Sequence, residues 1–70
     1  MSNERDYVFY FNQKPPSGTI KAECSTYADK MFLIKMLKTV RKEHPEFGIG
    51  SFIVNTMERD KREPITKEII

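Results

Sequence analysis

The sequence holds one cysteine, one histidine and no tryptophan in 70 residues. A lone Cys24 excludes an intramolecular disulfide and makes a reducing compartment, the cytoplasm, the expected location. One His and one Cys cannot supply a structural zinc site. No apolar run reaches signal-peptide or membrane-spanning length, so no membrane partner is expected. The polar start MSNERD, from Met1, reads as the beginning of a complete small open reading frame. Charge of one sign is scarce too, the net value of +2 being too small to point to nucleic acid by itself.

What is present fits one small domain spanning residues 1–70. A chain of this size buries only about 60% of the surface that its unfolded form exposes. With disulfide and metal excluded, another chain is the remaining usual support.

DYVFYFN, from Asp6, alternates Tyr7, Phe9 and Phe11 against Val8 and Tyr10, which predicts a strand apolar on both faces. NQKPPSG is a loop, because adjacent prolines cannot continue a ladder. TIKAECS sets Ile20, Ala22 and Cys24 against Thr19, Lys21 and Glu23, a half-buried strand forming a hairpin with the first. A long helix follows between a Ser25 or Thr26 cap and Pro45. Its 100° projection groups Phe32, Leu33, Met36, Leu37 and Val40 as a core face. Opposite stand Lys35, Lys38, Arg41 and Lys42, with Tyr27, Met31 and Ile34 interleaved. Phe47 to Met57 reads as a third strand. PITKEII is open between edge strand, short helix and tail, and residues 1–5 and about 58–70 are candidate flexible ends.

A crossover through the helix makes the third strand parallel to the second, and the first pairs between them. The expected fold is therefore α+β, a two-layer ββαβ domain. Its three-stranded, mainly antiparallel sheet has order 2-1-3, room for a fourth edge strand, and one long helix on one face.

Chemistry has little to stand on, and no enzyme, catalytic residue, metal or cofactor is expected. Cys24 and His44 flank a helix about 27 Å long, beyond the reach of a nucleophile–base pair. Cys24 reads as a small core residue, and His44 as a residue at the helix's negative end. GIG at Gly48 precedes a strand rather than a helix and reads as a bend, not a phosphate loop. Glu43 and Glu46 lack the ligand density of a calcium site.

Binding remains. The span Tyr27–His44 carries five basic and two acidic residues, so the positive excess sits there. Long cations around apolar anchors suit a docking rim. The expected partner-binding residues are Tyr10, Tyr27, Met31, Ile34, Lys35, Lys38, Arg41 and Lys42, against a protein partner with an acidic surface. A second surface is the bare sheet face, Val8 and Tyr10 (or Tyr7, Phe9 and Phe11, if the sheet is reversed) beside Ile49 and Ile53, where an exposed apolar patch implies another chain or a homodimer. The leading expectation is a small regulatory or inhibitory protein, or a subunit without independent activity. The alternative is a nucleic-acid-binding module that tracks phosphates with the basic helix face and stacks bases on the sheet.

Overall fold

β1 (Arg5–Gln13) forms where alternating aromatic and β-branched residues favour extended backbone, and β2 (Gly18–Cys24) returns antiparallel to it. The structure, a computed structural model, describes residues 5–15 and 18–70. Helix α1 (Tyr27–Glu43) starts at Thr26, whose Oγ1 accepts a hydrogen bond from the Asp29 N–H at 3.1 Å. It closes at His44, whose N–H donates to the Val40 carbonyl, and Pro45 then opens a 3-10 turn, η1 (Pro45–Phe47). β3 (Ile53–Glu58) and β4 (Glu63–Ile69) form a second hairpin.

The sheet has order β2-β1-β3-β4, antiparallel at every junction, with one helix on one face. The α+β class, the order 2-1-3 and the central place of β1 agree with the sequence reading. PITKEII resolves as the fourth edge strand, so residues 63–69 are not a flexible end. Of the other expected flexible end, residues 1–4 lie outside the described residues, and Arg5 already belongs to β1. The third strand is shorter than predicted: Phe47 ends η1, and Gly48, left-handed at φ 70°, redirects the chain. Residues 48–52 are irregular, although Phe52 and Ile70 exchange two backbone hydrogen bonds of 3.0 and 2.9 Å beyond the ends of β3 and β4.

The registers arrange the sheet in rows. On the helix side, Cys24, Tyr7, Thr56 and Thr66 share one row, and Ala22, Phe9, Val54 and Glu68 the next. Phe9, Val54 and Phe52 are fully buried and form the core with Ile34, Leu37 and Ile49. On the other face run Glu23, Val8, Asn55 and Lys67, and beside them Lys21, Tyr10, Ile53 and Ile69. Ile49, expected on that face, belongs to the core instead, because it precedes β3.

The helix is rotated from its predicted setting. Its sheet-facing side is Lys30, Leu33, Ile34, Leu37, Val40 and Arg41, and Phe32 and Met36 are exposed. The reason lies in the two cations. Lys30 Nζ meets Glu68 Oε1 at 3.0 Å and lies over the rings of Tyr7 and Tyr27, at 5.3 and 5.5 Å. Arg41 Nη1 donates to the carbonyls of Ile70 (3.1 Å) and Gly50 (3.3 Å) and stacks over Phe52. Burying these long side chains with their charges satisfied turns Ile34 inward and Phe32 outward.

The β1–β2 loop is tied to η1 by a 2.8 Å hydrogen bond from the Lys14 N–H to the Phe47 carbonyl. Beside it, a Cβ on Gly48 would collide with Lys14 Cγ, and the positive φ adds its own strain. Gly48→Ala should cost about 1–3 kcal/mol, read as a lower denaturation midpoint. Gly50→Ala, where a Cβ meets open space, should stay within about 0.5 kcal/mol. Equal effects at the two glycines would contradict this assignment.

Candidate functional site

Residues of α1 spaced by three, four or seven share a side. Tyr27, Met31, Lys35, Lys38 and Lys42 follow that spacing and are all exposed. They form one flank, and its sheetward neighbours Lys30 and Arg41 reach Glu68 and Ile70, so this flank leans towards β4. Tyr27 is 63% exposed yet holds its ring against the Lys30 ammonium, which orients an otherwise free aromatic side chain. The acidic residues of the helix, Asp29 and Glu43, fall with Met36 on the opposite side at seven-residue steps. The basic flank is thus undiluted by helix carboxylates.

Three of the eight expected partner residues do not join this flank. Ile34 is only 8% exposed and packs in the core. Arg41 is held by two carbonyls and the Phe52 ring, so its guanidinium serves the fold. Tyr10 is exposed but projects from the sheet face away from the helix, a separate surface.

That second face is less bare than expected. Val8 is 3% exposed although no helix covers it. At its β3–β4 end, Arg59 Nε and Nη2 both lie 2.9 Å from Asp6 Oδ1, and Arg62 Nη1 lies 3.4 Å from Asp6 Oδ2. These charged contacts occupy one end of the face and leave the row of Tyr10, Ile53 and Ile69 as its apolar part. Phe32 and Met36, expected in the core, are exposed and with Lys35, Thr39 and Val40 line a shallow depression on α1. Their i, i+4 spacing marks an apolar side of the helix but does not say whether that side turns inward.

Cys24 and His44 stand at opposite ends of the 17-residue helix, about 25 Å apart at 1.5 Å per residue. Burial pushes the Cys24 thiol above its ordinary pKa, the Asp29 and Asp6 carboxylates push it the same way, and Lys30 opposes them. Such a thiol is a poor nucleophile near neutrality. Among the described residues no cluster of three His, Cys, Asp or Glu is placed to hold a metal, and no helix is long and apolar enough to cross a membrane.

Comparison with protein-family models, curated proteins and solved structures finds no match.

Proposed function

We propose that the chain is a small non-catalytic regulatory or inhibitory protein that docks on a protein partner with an acidic surface. The observation that carries this reading is the flank on which exposed Tyr27 and Met31 sit among Lys35, Lys38 and Lys42. The lysines steer encounter through long-range attraction, and the tyrosine and methionine supply the desolvated contacts that slow release. Presenting them on a rigid helix lowers the ordering cost of binding. Occluding the partner's own site is a sufficient mechanism for a domain without chemistry.

The nucleic-acid alternative has less support. With Arg41 engaged in the fold, the flank offers three lysines, and Phe9 and Phe11 lie on the helix side of the sheet, which leaves Tyr10 to stack a base on the open face.

The test is affinity capture followed by quantitative binding with two variants that remain helical. Lys35→Glu/Lys38→Glu/Lys42→Glu should weaken the complex at least tenfold at low salt, mainly through association rate. Tyr27→Ala/Met31→Ala should act mainly through dissociation rate. A partner bound equally by the wild type and both variants would overturn the reading. So would affinity for DNA or RNA that collapses steeply with salt and exceeds that for any protein.

A further inference from the structure

We infer that β2 is a self-association edge, pairing antiparallel with β2 of a second copy about a two-fold axis through Ala22. This goes beyond the docking reading and uses different residues, so either can fail alone. Three observations carry it.

The first is the contrast between the two sheet edges. β4 contains Pro64, and its ladder with β3 shifts register between Thr56 and Met57, which spoils it as a template. β2 runs seven residues, Gly18–Cys24, in unbroken register with β1, and among the described residues it has no strand on its other side.

The second is charge. In a two-fold pairing centred on Ala22, each residue faces the one whose number completes a sum of 44. Lys21 then stands opposite Glu23 of the second copy, and Glu23 opposite its Lys21. Both side chains lie on the open face, are about half exposed and form an ion pair with each other at 3.2 Å. Direct cross-strand opposites of unlike charge stabilise an antiparallel pair, and like charges destabilise it. Centring the axis on Lys21 or on Glu23 would oppose like charges, so the sequence favours Ala22. The same register sets Ile20 opposite Cys24 and Ala22 opposite itself on the helix face, an apolar row throughout.

The third is the helix. Lys30 and Arg41 reach towards β4, so the exposed side bearing Phe32 and Met36 leans over the β2 edge. Measured from the ends that flank the Ser25–Thr26 turn, Cys24 and Tyr27, Ala22 lies back along β2 by two residues at about 3.4 Å. Phe32 lies forward along α1 by about five residues at 1.5 Å. Phe32, 64% exposed, is therefore roughly level with the axis. In the pair the two central strands stand about three strand spacings apart, on the order of 14 Å. Helices in direct contact are about 8–10 Å apart. Long side chains must bridge the difference above the small Ala22, and Phe32 and Met36 are suited to it.

The experiment is sedimentation velocity on the full chain over a range of concentrations, with helicity checked for every variant. The wild type should reach twice the 8.2 kDa chain mass. Glu23→Lys places Lys opposite Lys twice, and Lys21→Glu places Glu opposite Glu twice, so each alone should dimerise at least tenfold more weakly. Mixing these two variants should restore dimer, because every facing pair in the heterodimer is then complementary. Phe32→Ser should weaken the dimer without altering that charge logic. A monomeric wild type at about 0.1 mM overturns the inference. It is equally overturned by single variants that dimerise like the wild type, or by a mixture that stays monomeric. A dimer lost only on substituting Tyr10 and Ile69 would place the contact on the open sheet face and overturn it as well.

Discussion

Phe9→Ala should remove about a third or more of the domain's stability. Phe9 has no exposed surface, and it occupies the centre of β1 between Ala22 and Val54 under Leu37 and Ile34. Truncating a buried phenylalanine loses its transfer energy and leaves a cavity, together about 3–5 kcal/mol. Seventy residues at about 0.05–0.15 kcal/mol each support only roughly 3.5–10 kcal/mol in total. The melting temperature should fall by roughly 15 °C or more, given about 4–8 °C per kcal/mol for a domain of this size. Tyr10→Ser, one residue along on the exposed face, should cost under about 1 kcal/mol. Thermal melts of both variants at one protein concentration check the contrast. A Phe9→Ala protein as stable as Tyr10→Ser would mean that the core does not centre on β1.

Arg41→Ala should loosen the C-terminal strand while leaving the docking flank intact. The guanidinium joins the Gly50 and Ile70 carbonyls and covers Phe52. Hydrogen bonds to a charged group contribute about 1.5–3 kcal/mol each, and a ring contact about 0.5–1. The Ile70 carbonyl keeps its bond from the Phe52 N–H, so the net loss should be about 2–3 kcal/mol rather than the full sum. Arg41→Lys should recover only part, because an ammonium cannot reproduce the planar fork. Hydrogen exchange should show the loss first at the Ile70 amide and along β4. If Arg41 instead contacts a partner, its removal would lower affinity in a protein of unchanged stability.

These two residues also show where sequence reading succeeds. Phe9 was legible: strict alternation around it gives a strand, two apolar faces give a central one, and Thr26 and Pro45 bound the helix by local rules. Arg41 was not. Apolar residues lie on both flanks of α1 as well as its centre, so periodicity leaves its rotation open. The choice was made by Glu68, Ile70, Tyr7 and Phe52, partners up to tens of residues away. The exposed flank of Tyr27, Met31, Lys35, Lys38 and Lys42 survived that rotation because it sits beyond the sheet on either setting. Ile34 exchanged places with Phe32 because it did not. The fourth strand was undecided because ITKEI gains its order from pairing with β3 and from the Lys30–Glu68 ion pair, information that no local window contains.

Pro64 and the register shift beside it carry a last consequence. A dimer joined at β2 leaves two β4 rims as its outer limits, and both are poor templates for a further strand. Addition of subunits therefore terminates: raising concentration fills a closed pair and does not feed a growing ribbon. A protein with an open seven-residue edge is thereby spared the fibrous polymers that such edges nucleate.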